Sequence, residues 1–200
     1  MHELFNIPEK KFNIYMAAAT VFGRKGFYKT TIEEIAQEAS IGKSTVYEYV
    51  ESKEKLFSDI VSHGFGFFME RLAEILKDGE STEEKIKSFI KAWLKLIKNH
   101  YSLYRVILCD YYDPCRDKKN QELFGVLKRR MEELLADTVN EGIKEGKLRQ
   151  VDVSLLSISL VGILMGVSSS FDRNDRDSID IEKLSEEIGD IFLKGIMLKP

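Results

Sequence analysis

The sequence predicts an all-α protein in which an N-terminal three-helix unit containing a helix-turn-helix precedes a larger C-terminal helical bundle. Apolar residues recur at the 3.6-residue period of an α-helix over most of the chain, and the period-two alternation typical of strands is scarce. Only 3 of the 200 residues are proline, at positions 8, 114 and 200, so long helices can run uninterrupted. With 44% apolar residues, the chain can bury a substantial core.

The first predicted helix follows Pro8, because proline is tolerated in a first helical turn. Its apolar residues share one face of the helix: Phe12, Tyr15, Met16, Ala19 and Phe22. Gly26 is suited to end this helix, since glycine adopts the backbone conformations of a C-cap at little cost.

Two short helices are predicted next. Thr31 and Glu34 have the spacing of a capping box, in which each side chain bonds the backbone amide of the other residue. The buried stripes consist of Ile32, Ile35, Ala36 and Ala39 in the second helix and of Val46 and Val50 in the third. Residues 40–42 are too few for a strand or a long loop, so the pair forms a helix-turn-helix. Because the pair needs the first helix to complete a core, we predict one domain over residues 1–50 and a second over residues 51–200.

Long helices are predicted from Ser52 onward, with Ser52 as an N-cap. Breaks are predicted at Asp78-Gly79, at Asn99-His100, at Asp113-Pro114, over 142–146 and over 172–177. In the last helix, apolar or small residues alternate at steps of three and four, which is typical of a seam against a partner helix: Ile181, Leu184, Ile188, Ile191, Gly195 and Leu198.

A homodimer interface is predicted in the last two helices. Gly162 and Gly166 are costly inside a helix, by about 1 kcal/mol each relative to alanine, and close approach of a second helix would explain them. We expect the two helices of each subunit to form a four-helix bundle across a two-fold axis. The interface residues predicted are Gly162, Gly166, Leu184, Ile188 and Ile191.

Charge and motif content narrow the function classes. The formal net charge is −3, with 30 basic and 33 acidic residues, so the chain is not a polycation that coats nucleic acid. Two cysteines and an N-terminus without an apolar signal region predict a cytoplasmic protein. Residues 153–171 are uncharged, but six serines favour a buried helix over a membrane span. We find no metal-ligand spacing, no cofactor motif and no local catalytic constellation, so an enzyme is not predicted.

The third helix carries the strongest functional signal. With Val46 and Val50 facing inward, the residues left exposed are hydrogen-bonding donors and acceptors: Lys43, Ser44, Thr45, Tyr47 and Glu48. In a helix-turn-helix, the N-terminal part of the second helix contacts base edges in the major groove. Thr31 and Lys53 stand at helix starts, where amides and hydroxyls hold phosphates. These seven residues are the predicted DNA contacts.

The residues from Phe22 to Thr31, the pair Ile35-Ala36 and the stretch from Lys43 to Phe57 resemble the DNA-binding domain of TetR-family (tetracycline-repressor-like) regulators. The resemblance covers about a quarter of the chain and is most specific from Tyr47 to Lys53. It implies a homodimer that binds a palindromic double-stranded operator and is released by a small-molecule effector.

The chain departs from the usual family pattern at three positions. Ser40 stands where the family has a turn glycine, and Gly42 stands where it has a capping serine. Glu48 replaces a common histidine, and we expect an unusual base preference there, because a carboxylate can accept a hydrogen bond from cytosine N4.

An effector cavity is predicted from aromatic residues of the central helices, whose apolar rings and hydroxyls suit an apolar or aromatic ligand: Phe68, Phe89, Trp93, Tyr104 and Tyr111. The expected mechanism is a tilt of the helix starting near Ser52, which moves two recognition helices away from their ~34 Å separation. The alternative is a helical ligand carrier or scaffold that never binds DNA.

Overall fold

The computed structural model describes residues 7–79, 81–111, 118–171 and 178–196. Within these ranges, nine α-helices are joined by turns and short connections, which confirms the all-α prediction. They are α1 (Glu9–Lys25), α2 (Ile32–Glu38), α3 (Lys43–Tyr49), α4 (Lys53–Lys77), α5 (Thr82–Asn99), α6 (Tyr101–Tyr111), α7 (Lys118–Lys144), α8 (Val153–Ser169) and α9 (Ile181–Ile196).

The chain forms two compact units. Of the described residues, the N-terminal unit contains those up to 68 and those from 100 to 124, and the C-terminal unit contains those from 69 to 99 and those from 125 onward. The N-terminal unit thus reaches beyond residue 50, because Leu56 and Ile60 of α4 are buried and α6 packs along α1. A domain that ends at residue 50 stays a prediction.

The three-helix core of the N-terminal unit forms as predicted. Tyr15 and Phe22 of α1 are each 1% exposed, and Ile35 of α2 and Val46 of α3 are fully buried. Gly26 ends α1 with a positive φ of 79°, and its amide donates to the Phe22 carbonyl at 2.8 Å. The apolar stripes of the three helices therefore share one core.

Two glycines let α6 approach α1 and α4 closely. A Cβ at Gly23 of α1 would lie 3.2 Å from the backbone oxygen of Ser102, and a Cβ at Gly64 of α4 would lie 2.7 Å from Cδ1 of Leu103. Leu103 is itself buried, so it has little room to move away. The close packing of Leu103 against α4 explains why position 64 is glycine.

In the C-terminal unit, α5 packs against α8 and α9. Its buried face consists of apolar side chains from Ile86 to Ile97. The predicted helix breaks at 78–79, 99–100 and 142–146 are confirmed by the ends of α4, α5 and α7. Leu198 and the predicted breaks at 113–114 and 172–177 lie outside the described residues.

The apolar helix α8 runs from Val153 to Ser169, close to the predicted limits. The Asp152 side chain caps it by accepting from the Leu155 amide at 2.8 Å. Among the described residues, no helix combines the length and the apolar character needed to cross a bilayer.

Candidate functional site

The turn between α2 and α3 fixes the direction of the third helix. Ser40 adopts a positive φ of 56°, the left-handed conformation expected at the position of the usual glycine. The Ile41 amide donates to the Ala36 carbonyl at 3.0 Å, which closes the turn. Gly42 occupies the N-cap of α3 and provides no side-chain cap. The buried Val46 and Val50 then anchor α3 on the core.

The opposite side of α3 is open to solvent. Tyr47 is 51% exposed and is one of the few large side chains with apolar surface that the described residues leave accessible. Lys43, Ser44 and Glu48 are also exposed, and Thr45 is partly exposed. The structure thus brings the five predicted α3 contacts to one accessible helix. We call the exposed residues of α3 the recognition face.

Thr31 caps the start of α2. Its hydroxyl accepts from the Glu34 amide at 3.3 Å, and the Glu34 carboxylate accepts from the Thr31 amide at 3.1 Å. The predicted capping box is therefore present. Thr31 remains exposed, with its hydroxyl proton available to a phosphate oxygen.

Lys53 makes structural contacts that the sequence did not indicate. Its Nζ donates to the carbonyl oxygens of Phe27 at 3.1 Å and Thr30 at 3.0 Å, and lies 4.5 Å from the centroid of the Phe27 ring. The start of α4 is thereby tied to the loop between α1 and α2. A phosphate contact by Lys53 stays a prediction, since two of its three N–H donors are already used.

Ion pairs balance the charges around α2. Glu33 pairs with Lys43, Glu34 with Lys25, and Glu38 with Arg24. The hydrogen bond from Lys43 lowers the pKa of Glu33 and raises that of Lys43, so both groups stay charged near neutral pH. Residues 1–57 hold eight basic and eight acidic side chains. Three of each are joined to one another in these ion pairs.

Four of the five predicted effector residues are described as buried, but they belong to different units. Phe68 and Tyr104 lie in the N-terminal unit, and Phe89 and Trp93 lie in the C-terminal unit. Tyr111 is the last residue of α6, and its side chain lies outside the description. That these residues line one cavity stays a prediction.

Trp93 has a polar partner that sequence analysis missed. Its indole Nε1 donates to Oγ of Ser168 on α8 at 3.1 Å, and both residues are buried. No local sequence pattern connects positions 75 residues apart, so only the tertiary packing of α5 on α8 reveals this bond.

The last two helices expose three large apolar side chains. On α8, Leu155 is 64% and Ile158 is 39% exposed, and on α9 Ile191 is 73% exposed. Gly162 and Gly166 continue the exposed side of α8, and a Cβ at either would meet nothing within 4 Å. Leu184 is partly exposed, whereas Ile188 is only 5% exposed and packs inside the subunit. The residues of the predicted seam therefore do not all face one way.

A helix-turn-helix with an exposed polar recognition helix, in a chain that also has a larger helical unit, is typical of DNA-binding regulators. Comparison with known families agrees. Residues 14–60 match the family described as bacterial regulatory proteins, tetR family, and residues 79–196 match the tetracyclin repressor-like C-terminal domain. The second match alone covers more than half of the chain, and the chain belongs to the TetR family.

Individual relatives agree with this assignment. The fatty acid metabolism regulator protein of Bacillus subtilis is 25% identical over 191 residues, which is 94% of this chain and 95% of that protein. The fatty acid degradation regulator FadR of Bacillus halodurans has the same fold, with a TM-score of 0.83 at 20% identity over 94% of this chain and 97% of that one. FadR of Bacillus subtilis in complex with stearoyl-CoA gives a TM-score of 0.78 at 22% identity, with 92% and 98% covered.

The chain is therefore a DNA-binding transcriptional regulator of this family, whose members are not enzymes. This confirms the regulator interpretation over the carrier or scaffold.

Proposed function

We propose that this regulator is a repressor that binds a palindromic operator through the recognition face and is released by a long-chain acyl-CoA. The observation that carries the DNA-binding part is the orientation of α3, since Val46 is fully buried while Tyr47 is half exposed. DNA contacts are assigned to Lys43, Ser44, Thr45, Tyr47 and Glu48, with Thr31 and Lys53 at the backbone. The cytoplasm is the proposed location, because the DNA target is there.

The effector class is proposed from the relatives and from the buried aromatic residues. A FadR of the same fold is described with stearoyl-CoA, and the curated relative is a regulator of fatty acid metabolism. Phe89 and Trp93 of the C-terminal unit offer buried apolar rings of the kind that an acyl chain requires.

Selection from random duplex DNA tests the operator proposal. Two identical recognition faces related by a two-fold axis require a palindromic consensus with half-sites about one helical turn apart. The Tyr47→Ala variant should lose operator affinity and keep its dimeric state, because Tyr47 is exposed and outside the core. A consensus without symmetry would contradict the proposal.

Titration of the operator complex tests the effector proposal. Stearoyl-CoA should weaken operator binding, whereas free coenzyme A at the same concentration should not. By linkage, operator must weaken acyl-CoA binding by the same factor. Release by coenzyme A alone, or no release by acyl-CoA of any chain length, would overturn the assignment.

The dimer interface is proposed on the outer surface of α8 and α9, around Leu155, Ile158, Gly162, Gly166 and Ile191. Large apolar side chains this exposed in one chain are covered when a second copy packs on them. Leu184, which is partly exposed, and Ile188, which is 5% exposed in one chain, stay predicted interface residues. The Ile191→Glu variant should sediment as a monomer, and a stable dimer of that variant would argue against this surface.

A further inference from the structure

The ion pair between Glu33 and Lys43 joins the first turn of α2 to the first residue of the recognition helix. Both side chains are about half exposed, at 59% for Glu33 and 49% for Lys43. Lys43 is thus held by a carboxylate at the position where a recognition helix meets DNA.

The carboxylates of α2 differ in what else they do. Glu34 pairs with Lys25 and also completes the capping box, so its removal would damage α2 itself. Glu38 pairs with Arg24 of α1 and reaches no residue of α3 in the described hydrogen bonds. The Glu33 carboxylate, by contrast, bonds the Lys43 ammonium.

A carboxylate and a DNA phosphate satisfy the same ammonium group in the same way, by accepting charge-assisted hydrogen bonds. For Lys43 to bind a phosphate, Glu33 must release it, and the released carboxylate then lies beside the anionic backbone. We propose that Glu33 is a built-in competitor of DNA phosphate for Lys43, and that it sets the operator affinity of this regulator below the value the recognition face would otherwise reach. This inference rests on the proposed DNA contact of Lys43.

The test is a double-mutant cycle on the full-length dimer, with operator affinity measured by fluorescence anisotropy at fixed salt. Glu33→Gln keeps the shape of the side chain and removes its charge. Because exposed ion pairs are weak, operator affinity should rise by up to about fivefold per subunit, and by up to about 25-fold for a dimer with two recognition faces. In the Lys43→Ala background, the same change should give a much smaller gain, because only the repulsion between the Glu33 carboxylate and the DNA backbone is then removed.

Glu38→Gln is the matched control. It removes one negative charge from the same helix and also breaks an ion pair, but that pair involves α1 and not α3. It should change operator affinity much less than Glu33→Gln does. Thermal melts of each variant should stay close to the wild type, since both carboxylates are exposed.

The outcomes separate the inference from the proposed function. If Lys43→Ala weakens operator binding and Glu33→Gln strengthens it clearly more when Lys43 is present than when it is absent, the inference holds. Equal gains from Glu33→Gln and Glu38→Gln, or an undiminished gain in the Lys43→Ala background, would mean that Glu33 acts through overall charge and would overturn it. If Lys43→Ala leaves affinity unchanged, the assigned DNA contact of Lys43 fails first and the inference falls with it.

Discussion

Replacement of Lys53 by methionine should lower the stability of the N-terminal unit, whether or not Lys53 also contacts DNA. The Lys53 ammonium donates hydrogen bonds to two carbonyl oxygens of the loop between α1 and α2, and it makes a cation–π contact with the Phe27 ring. Methionine keeps most of the aliphatic length and removes all three interactions. The N-terminal part of α4 would then lose its attachment to this loop.

The magnitude follows from the partners. Hydrogen bonds to a charged group contribute about 1.5–3 kcal/mol each when well buried. Lys53 is only partly buried, so water can replace part of what is lost, and a total near 2 kcal/mol is expected. For a chain of this size, that corresponds to a decrease in Tm of roughly 4–8 °C.

Differential scanning calorimetry with two control variants makes the test sharp. Lys29→Met removes the same charge from an exposed position in the same loop and should change Tm by less than about 1 °C. Tyr47→Ala should also keep its Tm, because Tyr47 is half exposed, yet lose operator affinity. If Lys53→Met melts like the wild type and loses operator affinity as Tyr47→Ala does, the positioning role of Lys53 is refuted and direct phosphate binding is the better explanation.

Three further predictions concern packing and pH. Gly64→Ala should be less stable than Gly66→Ala by about 1–3 kcal/mol in urea unfolding. The new Cβ at position 64 would overlap the buried Leu103 side chain of α6. The new Cβ at position 66 would meet nothing within 4 Å, and alanine favours the helix more than glycine does. Ser168→Ala should lower the free energy of unfolding of the C-terminal unit by about 1–3 kcal/mol, because it leaves the buried indole N–H of Trp93 without its acceptor. Desolvation lowers the pKa of His100, so its share of stability is present above its ordinary pKa near 6.5 and is lost as pH falls below it. His100→Gln should reduce the decrease in stability between pH 7.5 and 5.5.

Each of these predictions has a direct check. Equal stability of the two glycine variants would show that α6 yields easily at position 64. The emission of Trp93, the single tryptophan, reports unfolding of the C-terminal unit, and Ser159→Ala is the control because Ser159 is exposed and bonds its own helix. A pH profile of His100→Gln that overlays the wild type would place the acid sensitivity on other groups.

The relation between sequence and structure is clearest in the helix-turn-helix. Helix periodicity, the Thr31–Glu34 capping box and the residues of the turn are local features, because the groups that interact are within a few positions along the chain. The sequence therefore determined where α1, α2 and α3 begin and end. It also determined which side of α3 is exposed, since Val46 and Val50 are the apolar residues of a short helix.

Contacts between distant positions were decided only by the tertiary structure. The sequence predicted Lys53 as a phosphate contact. The fold places the carbonyl groups of Phe27 and Thr30 within hydrogen-bonding distance of its ammonium group. Ile188 matched the spacing of an interface seam, but the packing of α9 on α5 turns it inward while Ile191 stays exposed.

The physical reason is the range of the interactions. Propensity and capping depend on neighbouring residues and can be read along the chain, whereas the partner of a long charged side chain depends on which elements the core brings together. The pairing of Glu33 with Lys43 belongs to the second kind, since it exists only because the turn brings the first turns of α2 and α3 within reach of each other. The sequence alone determined the architecture and the class of the protein, and the tertiary structure decided which partners its charged side chains have.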